Sequence, residues 1–185
     1  FTAQYRARLT KEWTGNCSDL GIPVADTFEL ARILAEQGVE LMRLATPLAT
    51  DSAELLNQCA ALIVTKGLPG PLVSRMDKRD GVPGYAEVPT QLEAEEVTRS
   101  AGKWLLLCAG QARLCVGETG SVTGRASVLA CHVGDLLWLP AGMEWALVPA
   151  PSHSCRWLSM ASDEAALNDS DPKQSKLSEL QLLDI

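Results

Sequence analysis

Histidine is almost missing from this chain: His132 and His153 are the only two in 185 residues. Neither has a carboxylate or a second histidine at ligand spacing, so each reads as a surface or turn residue. No Cys-x2-Cys pair occurs among the six cysteines, Cys17, Cys59, Cys108, Cys115, Cys131 and Cys155, which argues against a zinc site. Most of them lie in apolar runs such as Leu105-Leu-Leu-Cys108, and a chain of this length builds a core without staples. They therefore read as buried free thiols rather than disulfides. Clustered lysine and arginine are also lacking, and the net charge is −7. That excludes nucleic acid as a partner, since phosphate contacts need clustered cations. No apolar stretch is long enough to span a bilayer, so no membrane partner is expected. Phe1 to Trp13 is too charged for the apolar segment of a secretory signal, so the expected location is the cytoplasm. No nucleophile motif supports a Ser-His-Asp triad.

Against these absences stand clear signs of secondary structure. Asp26-Thr-Phe-Glu29 is a capping box, and Phe28, Leu30, Ile33 and Leu34 follow helical spacing up to a stop at Gly38. Val39 to Leu44 alternates as a strand, with Val39, Leu41 and Arg43 on one side and Glu40, Met42 and Leu44 on the other. A second cap, Asp51-Ser-Ala-Glu54, opens a helix whose buried stripe is Leu55, Leu56, Cys59, Leu62 and Ile63, closed by Gly67. Residues 67–90 are rich in glycine and proline and read as an irregular connection with one strand at Leu72 to Met76. From Lys103 onward, short apolar runs at 103–108, 111–116, 126–132, 135–139, 144–149 and 155–160 alternate with glycine and proline turns, the spacing of an antiparallel barrel or sandwich. After Met160 the chain becomes polar and acidic. A last amphipathic segment carries Leu177, Leu180, Leu182, Leu183 and Ile185 at spacings that suit one helical face. It is read either as a tail packed on its own domain or as a segment docked in a groove.

Within the barrel half, Gly134-Asp-Leu-Leu-Trp-Leu-Pro140-Ala-Gly142-Met-Glu-Trp145 has the spacing G-x5-P-x-G-x2-H, with tryptophan at the histidine position. This resembles the second signature of the cupin barrel. The helix at 26–37 followed by Gln37-Gly-Val-Glu-Leu-Met-Arg43, and the later helix, turn and Leu72-Val-Ser74, are similar to the order of elements in acireductone dioxygenases. The resemblance covers residues 26–160. It implies a mainly β fold with an α lobe: a cupin-like antiparallel β-barrel or jelly roll preceded by N-terminal helices. The expected division is residues 1–90 as a helical lobe packed on the barrel, 91–162 as the barrel, and 163–185 as an acidic, amphipathic tail.

The resemblance also implies a metal held by three histidines and a carboxylate. With Gly110 closing the first signature, its glutamate position falls on Lys103 and its histidine pair on Val97 and Arg99, or on Glu96 and Thr98. All four ligand positions have departed, and a lysine repels a divalent ion. The expectation is therefore a protein with no metal and no cofactor. Strand alternation aims Lys103, Leu105 and Leu107 inward, together with Trp145 and Leu147, and Arg99 is placed with them. Trp104, Leu106 and Cys108 then face outward, leaving an apolar strip unless the helical lobe or a second subunit covers it.

An apolar floor with an indole and one or two cations suits a peptide or a small organic anion. Arg99, Lys103, Leu105, Trp145 and Leu147 are the candidate ligand-binding residues, and no catalytic residue is assigned. The competing reading has Trp145 fill the space left by the metal while Lys103 snorkels to the rim. Tryptophan is over-used, five against two phenylalanines and two tyrosines, as in recognition surfaces. The first functional expectation is a metal-free, non-catalytic binding protein, an accessory protein that presents a precursor to a pathway enzyme. The alternative is a metal-independent enzyme using Lys103 as base or Schiff-base amine. A third is assembly as a homodimer, with Tyr5, Leu9 and Trp13 in the contact.

Overall fold

The computed structural model describes residues 4–6, 8–9, 32, 34–36, 38–68, 70–80, 102–117, 126–143, 145–149, 153–168 and 180–181. Two antiparallel sheets carry the fold. The larger contains β3 (Glu40–Arg43), β4 (Val73–Asp80), β5 (Lys103–Gly110), β8 (Asp135–Leu139) and β10 (Ser154–Ala161), in the order β3-β8-β5-β10-β4. The smaller contains β1 (Gln4–Arg6), β6 (Ala112–Gly117), β7 (Ala126–Cys131) and β9 (Trp145–Pro149), in the order β1-β7-β6-β9. A short ribbon pairs β2 (Arg8–Leu9) with β11 (Leu180–Gln181). Strands from outside residues 103–161 therefore border both sheets. Glu40–Arg43 and Val73–Asp80 form the two edges of the larger sheet, and Gln4–Arg6 borders the smaller.

The expected runs correspond to strands, and β4 extends the run expected at 72–76 as far as Asp80. The helix expected at 26–37 is seen at Arg32 and at 34–36, and its capping box lies outside the described residues. At the tail, Leu180 and Gln181 are extended and pair with Leu9 and Arg8, which corrects the helical reading there. Cross-strand hydrogen bonds at that point override a periodicity that leucines alone provide. Leu177, Leu182, Leu183 and Ile185 lie outside the described residues.

Alternation along the strands sorts the core into two layers. Leu105, Leu107, Leu114, Val116, Leu129, Leu137, Leu139, Trp145, Leu147 and Trp157 face one another between the sheets. Leu34 and Val39 join them from the N-terminal side. On the outer face of the larger sheet, Trp104, Leu106, Leu136, Leu158 and Met160 pack against α1 (Ser52–Thr65), which contributes Leu55, Cys59 and Ile63. The outward strip of Trp104 and Leu106 is thus covered by a helix of the same chain. Trp104 and Trp138 are a cross-strand pair with ring centroids 5.0 Å apart.

Local chemistry sets the ends of α1. The Asp51 carboxylate accepts from the Glu54 amide at 3.0 Å, as its capping sequence predicts. Gly67, at φ +70°, takes the left-handed conformation that ends the helix. A second, short helix, α2 (Glu164–Asn168), is capped by Asp163 and packs Ala166 and Leu167 onto Ala161 and Val73.

Cys59, Cys108, Cys131 and Cys155 are free thiols, as expected, while the side chains of Cys17 and Cys115 lie outside the description. Burial pushes the Cys59 thiol up to about 12, and the neighbouring Cys108 adds to the effect. The unfolded thiol ionises near its ordinary value, so between that value and 12 the native state holds more protons than the unfolded one. Stability therefore falls as pH rises through this window. Thermal melts at about pH 8 and about pH 10.5 are expected to show a smaller loss of Tm in Cys59→Ala than in the wild type.

Candidate binding site between the sheets

Of the five candidate residues, four lie within the described structure. Leu105, Trp145 and Leu147 share the inter-sheet cluster. Lys103 is two residues before Leu105 on β5, hence on the same face, and is only 1% exposed. Arg99 lies outside the described residues. Burial of Lys103 contradicts the reading in which it snorkels to the rim. Its position opposite Leu139 puts β8 alongside it, and its neighbours in sequence are fixed in the central strand of the larger sheet.

Trp145 begins β9 on the smaller sheet, opposite Val116, and is 2% exposed. The turn that delivers it is Pro140 to Met143, closed by the Met143 amide on the Pro140 carbonyl, with Gly142 at φ +79°. The indole Nε1 of Trp145 is buried and has no hydrogen-bond partner among the described residues. Buried tryptophan N–H groups ordinarily find an acceptor, and leaving one unmet costs about 1–3 kcal/mol.

A polar cluster on the same inner face was not anticipated from the sequence. Leu41, Leu137, Leu105, Ser159 and Arg75 form one row across the larger sheet. The next inner row sets Leu107, Trp157 and Asp77 side by side. The Trp157 indole donates to the Ser159 hydroxyl at 3.1 Å, and that hydroxyl donates to the Asp77 carboxylate at 3.1 Å. Arg75 donates from Nε to both oxygens of Asp77, at 3.0 and 3.2 Å, and from a terminal nitrogen to Asn168 at 3.0 Å. Further along β4, Arg79 reaches across to the smaller sheet and donates to the Leu147 carbonyl at 3.4 Å. The signal in the sequence was the charge at alternate positions 75, 77 and 79, an inward set once β4 is known to run that far.

His132 and Asp135 correct a further expectation. Asp135 is a carboxylate three residues beyond His132, accepts from the His132 amide at 2.8 Å, and lies 3.8 Å from its Nδ1. Arg43 donates to the same carboxylate from Nε at 2.9 Å and approaches it with a terminal nitrogen at 2.8 Å. This is a structural clasp between β3 and β8 around the Gly134 turn, in which the carboxylate is already committed. His153 is exposed.

No protein-family model matches the chain, and no curated protein matches it in sequence. Its three-dimensional likeness is nonetheless extensive. The acireductone dioxygenase from Bacillus anthracis, solved with a cadmium ion in its active center, superposes with a TM-score of 0.58 over 89% of this chain and 96% of that one, at 10% identity. A variant of oxalate decarboxylase from Bacillus subtilis superposes with a TM-score of 0.40 over 68% of this chain and 26% of that one, at 12% identity, a slighter likeness. At such identity what is shared is the fold, and the mainly β, cupin-like architecture is the one expected from the Gly134–Gly142 signature.

Among the described residues no group of three or more His, Cys, Asp or Glu side chains could hold a metal ion. Lys103 and Trp145 are both buried, and neither side chain is an ordinary metal ligand. Among the described residues, no helix is long and apolar enough to cross a membrane.

Proposed function

We propose that this cupin-fold chain is a metal-independent binding protein whose barrel interior takes a small organic anion or the C-terminal end of a peptide. The observation that carries this reading is the buried indole N–H of Trp145, which meets no acceptor among the described residues. It faces an apolar interior built by Leu105, Leu107, Leu114, Leu147 and Trp157, which suits the hydrocarbon or aromatic body of a ligand. An acceptor oxygen on that ligand would satisfy the indole and recover its desolvation cost. A donor set in an apolar lining selects an oxygen-bearing head on an apolar body. The same chemistry accommodates a role as an accessory protein that shelters a precursor for a separate enzyme.

Isothermal titration of a panel of alkyl and arylalkyl carboxylates, and of short peptides with free C-termini, tests the reading. Wild-type protein is expected to bind members of the panel. Trp145→Phe keeps a ring but removes the donor, so affinity should fall about five- to tenfold. Absence of binding across the panel, or equal affinity in Trp145→Phe, would refute the assignment. Covalent trapping of a carbonyl compound on Lys103 by borohydride would instead return the enzymatic reading to first place.

A further inference from the structure

Trp145 and Trp157 both stand in the core between the sheets, at 2% and 4% exposure. Their indole N–H groups differ. That of Trp145 meets no acceptor among the described residues. That of Trp157 is committed: it donates to the Ser159 hydroxyl, which donates to the Asp77 carboxylate. Arg75 donates to that carboxylate, and also to Asn168 at the end of α2. An indole has no second donor. A chain of hydrogen bonds running from the buried Ser159 to the exposed Arg75 therefore fixes the Trp157 ring. The surface this ring can still offer is its π-face and its hydrocarbon edge.

We propose that Trp157 is the platform on which the body of the ligand packs, and that the interior takes an aromatic acid of the arylalkyl carboxylate class. The proposal rests on the anion-binding reading above, which gives the head group to Trp145, and adds the residue that selects the body. The turn between Gly110 and Ala112 carries the chain from the larger sheet to the smaller. Trp157 lies beside Leu107 a few residues before that turn, and Trp145 lies beside Val116 a few residues after it. An acid held at the Trp145 donor thus extends its body among the side chains that include Trp157. Buried area does not by itself choose that body, because a cyclohexyl ring offers at least as much apolar surface as a phenyl ring. The quadrupole does choose. Aromatic rings packed offset or edge-to-face gain about two- to tenfold in affinity beyond their area. Such a contact needs a ring of fixed orientation, which the Ser159–Asp77–Arg75 chain supplies. Ser159 is in this sense a positioning residue, acting through Trp157.

The experiment compares acids matched in charge and length: phenylacetate with cyclohexylacetate, and 3-phenylpropanoate with 3-cyclohexylpropanoate. Each is titrated calorimetrically into wild type, Trp157→Leu and Ser159→Ala, after melts have shown which variants are folded. The quantity read is the ratio of aryl to saturated affinity, which a general loss of packing does not move. The wild type should prefer the aryl acids about two- to tenfold. Trp157→Leu should abolish the preference. Ser159→Ala, which keeps the ring and removes the acceptor that orients it, should reduce it. A preference that survives intact in Trp157→Leu overturns the assignment of Trp157 and leaves the anion-binding reading standing. Equal affinity for the two classes in the wild type, or preference for the saturated rings, does the same. If Trp157→Leu does not fold, Ser159→Ala decides, and an undiminished preference there overturns the platform. Binding of neither class by the wild type overturns both readings.

Discussion

Arg43→Met is expected to destabilise the fold by about 3 kcal/mol, near the lower end of what breaking a buried ion pair costs. In urea or thermal unfolding this corresponds to a drop in Tm of about 6–12 °C for a chain of this size. The asymmetry of the pair gives the reason. The Asp135 side chain is 0% exposed, whereas that of Arg43 is 53% exposed. Removing the arginine leaves a carboxylate with no access to water deprived of this cation, although the His132 amide still donates to it at 2.8 Å. Removing the carboxylate releases a guanidinium that water can solvate. Asp135→Asn placed on the Arg43→Met background should therefore recover much of the loss, because it deletes the stranded charge and keeps an acceptor for the His132 amide. A double variant no more stable than Arg43→Met would show that the clasp acts by shape and not by charge.

Gly110→Ala is expected to be at least as damaging, about 3 kcal/mol or more. Gly110 closes β5 at φ +81°, and a Cβ there would sit 1.9 Å from the Ser154 carbonyl oxygen. That oxygen is backbone, so relief requires β10 to move away from β5. Gly142 provides the control, with φ +79° and nothing within 4 Å of its added Cβ. Gly142→Ala should cost only the left-handed penalty, about 1–2 kcal/mol. The difference between the two variants measures the clash alone. Because Cys155 pairs with both Gly110 and Arg79, displacement of β10 at Gly110 is passed on to β4.

Several features were legible because they are local. Asp51 and Glu54 announce the start of α1, and Gly67 its end, since capping needs only residues within one turn. The spacing of apolar runs between glycine and proline turns revealed the strands from β5 to β10, and alternation correctly placed Leu105, Trp145 and Leu147 in the interior. The Gly134–Gly142 frame gave the architecture, since a tight turn demands particular residues at particular offsets. Burial of Lys103 followed from the same alternation. Its depth did not, because a long amine on an inward position can end inside or at the rim.

What remained hidden was decided by strands that meet only after the chain has folded. Arg43 finds Asp135 across 92 residues, Ser159 finds Asp77 across 82, and Arg79 finds Leu147 across 68. No periodicity within a single strand encodes such partners, because each depends on which strands are neighbours and in what register. The tail shows the same limit in miniature. Its leucines suit a helix when read alone, yet Leu180 and Gln181 lie extended because Arg8 and Leu9 offer them a partner. By itself the amino-acid sequence determined the strands from β5 to β10, the turns between them and which face of each is apolar, all consequences of short-range sterics and solvation. Only the tertiary structure decided that the inner face carries a linked Trp157–Ser159–Asp77–Arg75 cluster, and that the Trp145 indole meets no acceptor among the described residues.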